Sequence, residues 1–539
     1  MLREIVSVCT IDTSNGARVS QSQLIPSGAI QRVSMVESIV LGLDGANWDL
    51  LKPWLEDGDL PNISSLRDSG VSADLESCLP PVTCPNWRCY STGKNPGKLG
   101  VYWWEKIDTE NRTLTTPTSR SFNSANYWDY LADDGLSTGV VNLPMTYPPL
   151  PMENGYLVAG GPGSEQRDYT TPESLGDELD QSGYRLHPDS PITSKTDISV
   201  ADDIVDLIDQ RLTAFRRLLN DREVDIAHCT VFYINVLQHY FWRGEPTARA
   251  WRVIDEHIGA IREEYPDVTL YLMSDHGCAS IDTMFYANSW LEQEGLLQTT
   301  SGATDTFERL GVNKQRVSKL ADRIGARKLV AALAPEWIKR RVPEDDEGAK
   351  RDQKLDRIDW STSRAVASGQ GLIYVLDGKE ETAEEIVDKL SSLRSDITGT
   401  PIARKVHRRS DVYEGPYVDE APAVVFDQTP GVHTSGAIGS NPVFEDVSHW
   451  SAENVRTGLF LADGPGVTGS SSDRISITDV APTIMAEHGV AIPTDMDGEP
   501  IDLFGRDHPG EQEPVVPDFV DRQSDEEVQE RLEDLGYLQ

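Results

Sequence analysis

The sequence contains the segment Val268-Thr269-Leu270-Tyr271-Leu272-Met273-Ser274-Asp275-His276-Gly277, in which a run of strand-forming residues precedes a carboxylate and an imidazole. The run follows Pro266 and shows no helical period, which predicts a buried strand. The apolar run at residues 38–43 ends in the same way, with Asp44 and Gly45. Strands of parallel sheets are buried on both faces and are continuously apolar. The two segments therefore predict a mostly parallel sheet with polar side chains at the carboxyl ends of its strands.

Strand and helix patterns alternate along the chain. Further strand patterns lie at 138–142, 225–234, 365–376, 423–426 and 458–462, and helical patterns lie at 49–55, 61–69, 200–219 and 246–264. This alternation predicts an α/β fold, a three-layer α/β/α sandwich in which helices cover both faces of the sheet. Because ligands of such sheets bind at the carboxyl ends of the strands, we expect the functional site there.

Changes in composition divide the chain into segments. We predict a polar N-terminal extension outside the fold at 1–34, with Met35 as an alternative start. The catalytic core has a first part at 35–299 and a second part at 357–506, and a helical cap insertion at 300–356 separates them. An acidic C-terminal tail follows at 507–539, with a short helix at 525–535.

The charge of the chain is strongly acidic. Its formal net charge is -39, and only 14 of its 49 basic residues are Lys. An acidic excess with little Lys is typical of proteins that stay soluble in molar salt, where self-repulsion is screened. We interpret the chain as a halophilic cytoplasmic protein, with an acidic mesophilic enzyme as the alternative. The absence of a basic stripe disfavours nucleic acid and anionic membranes as partners.

Targeting and redox features are few. No apolar run reaches the roughly 18 residues of a membrane span, and the N-terminus lacks the basic and apolar regions of a secretory signal. The six Cys show no C-x-x-C spacing, so we expect reduced thiols rather than a zinc knuckle or redox pair.

Three residue types at the strand ends have the chemistry of a phosphoryl-transfer site. Thr83 lies two residues before Pro85, which is suited to the first turn of a helix, so its hydroxyl is a candidate nucleophile near a helix N-terminus or an ordinary helix cap. Asp44 is a candidate metal ligand or a turn residue. Adjacent Asp275 and His276 offer the oxygen and nitrogen ligands that zinc or manganese accept.

A second group of candidates is less local. Asn235 and His239 are four residues apart, so on a helix they share a face. His239 is a candidate metal ligand or a core histidine packed among aromatic residues. His449 precedes the last predicted core strand and is the preferred further ligand, with His433 as its rival; each is otherwise an ordinary loop histidine.

Taken together and in order, these motifs resemble the alkaline phosphatase superfamily, specifically its type I phosphodiesterase/nucleotide pyrophosphatase branch. The resemblance extends from about Glu37 to Phe504 and rests on the segments 40–45, 80–87, 92–98, 274–277, 479–484 and 493–498. It implies an alkaline-phosphatase-like sandwich and a hydrolase that acts on a small phosphate-ester substrate.

The resemblance also implies the roles of the site residues. One divalent cation would be held by Asp44, Thr83, Asp275 and His276, and a second by Asn235, His239 and His449. The two ions would be Zn, with Mn as the alternative. Thr83 would attack phosphorus and form a covalent phosphothreonine, which water then hydrolyses.

Departures from the family pattern keep other functions open. The branch has Asp at the position of Asn235, and a neutral ligand should bind its cation more weakly. A degenerate, metal-poor binding protein is therefore one alternative, and a phosphomonoesterase or phosphotransferase of the same superfamily is another. A sulfatase is disfavoured because Thr83 cannot become formylglycine and Trp87 stands where sulfatases have Arg.

Overall fold

The structure is a computed structural model that describes residues 36–122, 124–192, 194–300, 355–447, 450–468 and 474–515. The predicted N-terminal extension, nearly all of the predicted cap insertion and the helix predicted at 525–535 lie outside the described residues.

The described residues form strands and helices that alternate through the first part of the chain. The strands are β1 (Ser38–Leu43), β2 (Val71–Glu76), β3 (Lys106–Asp108), β4 (Thr113–Thr115), β5 (Thr138–Pro144), β6 (Gly155–Gly160), β7 (Thr170–Thr171), β8 (Ile226–Val231), β9 (Thr269–Met273), β10 (Gly277–Ser280), β11 (Thr283–Tyr286), β12 (Ala365–Ala367), β13 (Leu372–Val375), β14 (Ala403–Arg408), β15 (Val424–Gln428), β16 (Val432–Ser435), β17 (Phe444–Asp446), β18 (Ala452–Val455), β19 (Thr457–Asp463), β20 (Arg474–Ser476), β21 (Ile492–Pro493) and β22 (Glu511–Gln512). The helices are α1 (Trp48–Asp57), α2 (Pro61–Ser69), α3 (Thr83–Thr92), α4 (Pro96–Leu99), α5 (Tyr127–Asp133), α6 (Glu173–Gln181), α7 (Ile198–Asp221), α8 (Tyr233–Phe241), α9 (Glu245–Glu264), α10 (Ala287–Gln293), α11 (Glu380–Ser391) and α12 (Val480–Glu487).

Local signals set the helix ends. At the start of α1 the Asn47 side chain accepts a hydrogen bond from Leu50 N at 2.8 Å, as expected of an N-cap asparagine. The same helix ends at Gly58, whose φ of 78° is the left-handed conformation that favours glycine. Helix α9 has Pro246 in its first turn and ends before Pro266.

A nine-stranded sheet forms the centre of the fold, with strand order β20-β2-β19-β9-β1-β8-β5-β6-β7. Strands β9, β1, β8, β5 and β6 run parallel to one another. Strand β19 runs antiparallel to both of its neighbours, and β7 is antiparallel to β6. The predicted α/β class with a mostly parallel, helix-covered sheet is confirmed.

Because of the register of the parallel strands, the loops that follow β1, β8 and β9 all begin at the same edge of the sheet. Leu43 at the end of β1 pairs with Val231 at the end of β8, and Gly42 pairs with Met273 at the end of β9. The residues that follow these strands therefore emerge side by side, at the edge where the sequence predicts the site.

A second hydrophobic core lies in the later part of the chain. Strands β12, β13, β15 and β14 form an antiparallel sheet in that order, and its core includes Ile386 and Leu390 of α11. The strands predicted at 365–376 and 423–426 are present, and they belong to this sheet rather than to the central one. Sheet membership is set by long-range pairing, which a local pattern does not encode.

One predicted element differs at its end. The strand predicted at 225–234 stops at Val231, and α8 begins at Tyr233. Eight consecutive residues of this helix, 233–240, are buried. The helix therefore has no exposed polar face, and its sequence lacks the period that would distinguish it from the preceding strand. No helix in the described residues is long and apolar enough to cross a membrane.

Gly42 lets a large side chain lie against the middle of the sheet. A Cβ atom at this position would stand 2.5 Å from the Trp87 ring and 3.1 Å from Thr230 Oγ1. Trp87 is fully buried, so it has no room to move aside. The glycine thus allows α3, which carries Trp87, to pack closely on β1.

We expect Gly42→Ala to lower the free energy of unfolding by about 1–3 kcal/mol, because the added methyl overpacks a rigid contact. Chemical unfolding followed by tryptophan fluorescence measures this change. Gly510→Ala is the matched control, since a Cβ there meets no atom within 4 Å, and its effect should stay within about 0.5 kcal/mol. Equal stability of the two variants would contradict the packing argument.

Candidate active site

Two carboxylates lie side by side at the carboxyl edge of the central sheet. Asp44 follows β1 and Asp275 follows β9, and both are completely buried. The backbone N–H of Gly45 donates to Asp275 Oδ1 at 3.2 Å. Gly45 has a φ of +68°, so the turn after β1 points this N–H at the neighbouring strand's carboxylate.

The two oxygens of Asp44 have different partners. Trp87 Nε1 donates to Oδ2 at 2.8 Å, and Thr83 Oγ1 donates to Oδ1 at 3.4 Å. Thr83 and Trp87 are four residues apart at the start of α3, so both face the end of β1. The indole orients the carboxylate and leaves Oδ1 facing the threonine hydroxyl.

His276 completes this group. Its Nδ1 contacts the Gly277 carbonyl oxygen at 2.9 Å, so Nδ1 carries the proton and Nε2 presents a lone pair. Nε2 lies 3.4 Å from Thr83 Oγ1, 3.2 Å from Asp275 Oδ2 and 3.8 Å from Asp44 Oδ1. A ring nitrogen oriented in this way by a carbonyl is typical of metal-binding histidines.

The donor set fits a divalent cation. One ligand atom each from Asp44, Asp275 and His276 lies within 4.8 Å of the others. Asp275 Oδ2 is buried and has no hydrogen-bond donor, although the His276 lone pair is close to it. Electron-rich atoms that converge without protons between them leave a place for a cation, and this mixture of oxygen and nitrogen ligands suits Zn or Mn.

Burial shifts the pKa values of these groups toward their neutral forms. It raises the pKa of Asp44 to about 8, against hydrogen bonds from Trp87, Thr83 and Asn235 that lower it. The pKa of Asp275 is raised well above its usual range by burial and then by repulsion from Asp44. Burial lowers the pKa of His276 to about 3. Without a cation, the pocket therefore resists holding two negative charges.

Thr83 is held in place by the loop that precedes it. Asn86 accepts a hydrogen bond from Cys78 N at 2.9 Å and donates to the carbonyl oxygens of Pro80 and Val82 at 2.8 and 2.9 Å. The backbone is non-helical at Cys84, so regular helix begins only after Thr83. The hydroxyl lies next to the amino end of α3, where the helix dipole favours an anion.

The first turns of α8 bring amide side chains against Asp44. The side chain of Asn235 hydrogen-bonds with Asp44. Gln238 Nε2 donates to Asn235 Oδ1 at 3.2 Å and to the Gly45 carbonyl oxygen at 3.1 Å. Asn235 Nδ2 donates to Asn454 Oδ1 at 3.4 Å. The three amides Asn235, Gln238 and Asn454 form one buried network, called here the amide network.

A cleft adjoins this network. Its wall includes three tryptophans, two histidines and two glutamates, namely Trp103, Trp104, Trp450, His239, His433, Glu105 and Glu453. His239 Nδ1 contacts the Ala452 carbonyl oxygen at 2.9 Å, so its Nε2 is unprotonated, and burial lowers the pKa of this ring.

The alternative ligand His433 has a partner of its own. Its Nδ1 is in close contact with Glu453, and its ring lies 5.3 Å from that of Trp450. The structure therefore brings together Asp44, Thr83, Asp275 and His276, with Asn235 beside them and His239 at the cleft. His449 lies outside the described residues.

Two of the segments that carry the family resemblance contact each other away from the carboxylates. Lys98 Nζ pairs with Asp497 at 2.5 Å, and Lys94 pairs with Asp495 at the same distance. The backbone N–H of Asp497 donates to the Gly93 carbonyl oxygen at 2.8 Å. These motifs fasten the end of α3 to the C-terminal part of the fold and so support the helix that carries Thr83.

Several site residues were missed by the sequence analysis. They are Trp87, Gln238, Glu453 and Asn454. Trp87 had a local signal, because its spacing from Thr83 places both on one side of a helix. Asn454 lies 219 positions from its partner Asn235, and no local pattern indicates a contact at that separation.

Comparisons with known proteins identify a family for this chain. A family model described as type I phosphodiesterase / nucleotide pyrophosphatase matches residues 38–451. The structure of phosphonoacetate hydrolase from Sinorhizobium meliloti 1021, in complex with phosphonoformate, matches with a TM-score of 0.53 at 13% identity, over 83% of this chain and 95% of that one. Murine ectonucleotide pyrophosphatase / phosphodiesterase 5 matches with a TM-score of 0.46 at 10% identity, over 84% and 95% of the two chains. A search of curated protein sequences finds no match.

The raised pKa of Asp44 predicts how the stability of the metal-free protein depends on pH. Between the ordinary value of 3.8 and about 8, the folded protein holds a proton on Asp44 that the unfolded chain has lost. Its contribution to stability is therefore present at low pH and lost as the pH rises through about 8.

Thermal unfolding of chelator-treated protein at pH 5 and pH 9 tests this, with Asp44→Asn as the comparison. We expect the variant to gain stability relative to wild type at the higher pH, since Asn cannot ionise. Added Zn should stabilise wild type most at high pH. A difference between the two proteins that is independent of pH would contradict the raised pKa.

Proposed function

Because the chain belongs to the type I phosphodiesterase/nucleotide pyrophosphatase family, it is a hydrolase of phosphoric esters, and we propose that it cleaves phosphodiesters with Thr83 as the nucleophile. The family is metal-dependent, and Asp44, Asp275 and His276 form the candidate cation site. The observation that carries the proposal is the position of the Thr83 hydroxyl, 3.4 Å from both Asp44 Oδ1 and His276 Nε2.

The surroundings of Thr83 suit nucleophilic attack on phosphorus. Its hydroxyl faces two acceptor atoms, Asp44 Oδ1 and the unprotonated Nε2 of His276. Asp44 and His276 thus hold the Thr83 proton away from the side on which phosphorus is attacked. A bound divalent cation would lower the pKa of the hydroxyl and neutralise charge on the phosphoryl oxygens.

The reaction then proceeds in two displacements. Thr83 Oγ1 gives its proton to one of the two acceptors that it faces and forms a bond to phosphorus. The bond between phosphorus and the first alcohol's oxygen breaks, and that oxygen leaves and takes up the proton. The phosphothreonine ester is next attacked by water, which returns Thr83 to its hydroxyl form and releases the phosphomonoester. The amino end of α3 faces the phosphoryl oxygens in both steps and stabilises their negative charge.

The charges around the cleft favour a diester over a monoester. The described residues that line it include Glu105 and Glu453, and none of them is Lys or Arg. A diester carries one negative charge, whereas a monoester near neutral pH carries about two. A site with one cation and acidic walls repels the dianion more strongly. The tryptophans of the cleft provide flat apolar surface for the organic part of the substrate.

Removing the nucleophile tests the proposed chemistry. We expect Thr83→Ala to reduce hydrolysis of bis-p-nitrophenyl phosphate by roughly 10³-fold or more, as loss of a catalytic nucleophile does. Assays in molar KCl with Zn or Mn measure this loss of diester hydrolysis. Parallel assays with p-nitrophenyl phosphate measure the preference of the enzyme for the diester over the monoester. Thr92→Ala is the matched control, because this buried threonine lies on the same helix and its hydroxyl donates only to the Arg88 carbonyl oxygen.

The outcomes separate the candidate functions. Diester turnover that disappears in Thr83→Ala and persists in Thr92→Ala supports the proposal. Preference for the monoester would instead indicate a phosphomonoesterase or phosphotransferase. Full activity in Thr83→Ala would refute the nucleophile, and failure of wild type to turn over either ester or to bind metal would favour the binding protein.

The covalent step has its own test. Acid quenching during turnover of bis-p-nitrophenyl phosphate should trap a p-nitrophenylphosphoryl group on Thr83, and peptide mass spectrometry locates it as a gain of that group's mass on the peptide that contains Thr83. The Thr83→Ala protein should show no modified peptide. Label on another residue, or no label in an active enzyme under several quench times, would contradict a phosphothreonine intermediate.

A further inference from the structure

The amide network includes Asn235, one of the three residues that the family resemblance assigns to a second cation. We propose that the protein binds a single divalent cation, at Asp44, Asp275 and His276, and that the amide network replaces the second. The inference rests on the proposed function, because it concerns the same site, and it narrows the number of ions from two to one.

Asn235 is already satisfied by neighbouring side chains. Its Oδ1 accepts from Gln238, its Nδ2 donates to Asn454 at 3.4 Å, and its side chain hydrogen-bonds with Asp44. It also fills the space beside Asp44, since a Cβ on Gly45 would stand 2.2 Å from Asn235 Oδ1. A cation bound to this oxygen would have to displace a hydrogen bond within a buried, closely packed network.

The carboxylate of Glu453, next to Asn454 of the amide network, already has hydrogen-bonding partners. Glu453 is fully buried, and its two oxygens contact His433 and Gln370 and accept from Asn454 N at 2.7 Å. Among the described residues, the one cluster of His, Cys, Asp or Glu side chains close enough to hold a metal ion is Asp44, Asp275 and His276. His239 is not part of it.

The ligand chemistry points the same way. Zinc and manganese sites in proteins are built from thiolate, imidazole and carboxylate ligands. Around His239, the side chains in the network are amides, which carry no charge. Two divalent cations about 4 Å apart repel each other strongly unless anionic ligands lie between and around them. Among the described residues around His239, Glu453 provides the anionic charge, and its oxygens already contact His433 and Gln370.

The network also offers something that a cation does not. Asn454 lines the cleft, and its Oδ1 accepts from Asn235. No described residue accepts a hydrogen bond from its Nδ2, which is therefore a donor for a ligand in the cleft.

Counting metal ions tests this inference without reference to activity. Protein stripped with a chelator is loaded with excess Zn in molar KCl, washed with citrate to remove ions from surface carboxylates, desalted, and measured by elemental analysis. Wild type should hold one Zn per chain. Asp275→Asn should hold none, because it removes an anionic ligand from the three-residue site.

The double variant Asn235→Asp with Asn454→His should hold two Zn per chain, because it places a carboxylate and a second imidazole beside His239. Asn220→Asp is the matched control, since this exposed asparagine gains the same charge far from the site and should leave the count at one. Thermal unfolding confirms that each variant is folded.

The results distinguish this inference from the proposed function. Two Zn in wild type would overturn the single-cation inference and leave the role of Thr83 standing, which the phosphothreonine experiment tests separately. No Zn in wild type would overturn the metal dependence itself. A folded double variant that still holds one Zn would show that the amides are not what excludes the second ion.

Discussion

The central constraint on the site is the free-energy cost of burying the carboxylates of Asp44 and Asp275 next to each other. A buried carboxylate loses its hydration, and two of them also repel each other, so the pKa of each is raised. The surrounding groups reduce this cost. Trp87, the Gly45 backbone N–H and the Thr83 hydroxyl all donate to one or other carboxylate. A cation bound between them would relieve the remaining repulsion, which is why the pair is evidence for one.

The sheet makes this arrangement possible because it fixes where the two carboxylates emerge. Parallel pairing of β1 with β8 and with β9 sets the register at which all three strands end. Gly42 then leaves room for Trp87, so α3 can pack against β1 with Thr83 at its amino end. The motifs at 92–98 and 493–498 act at the other end of that helix, through the Lys94 and Lys98 ion pairs. Motifs that carry the family resemblance thus include residues that support the nucleophile without touching substrate.

The sequence was most informative where its pattern is local. The amphipathic helices α7 and α9 were predictable because burial of one face imposes a period on them, and the strands because burial on both faces makes them continuously apolar. The residues after β1 and β9 stood out because polar groups follow these apolar runs. The start of α8 was not predictable, since a helix buried on every side has no period. The contact of Asn235 with Asn454 and the pairing of His433 with Glu453 depend on which distant segments meet. Sequence spacing alone therefore left the ligands of a second ion undecided.

Charge balance connects the number of cations to the substrate. Two ionised carboxylates and one divalent cation make the centre neutral, so a phosphodiester monoanion brings its single charge to a site that does not repel it. A phosphomonoester dianion would bring two charges beside Glu105 and Glu453, and none of the cleft residues that the structure describes is a Lys or Arg that would offset them. A second divalent cation would add positive charge to the centre and so reduce its repulsion of the dianion. The neutral amide network and a preference for diesters thus follow from the same electrostatic arrangement. Asn235 adds no charge to the site, whereas an aspartate together with a second divalent cation would add a net positive charge.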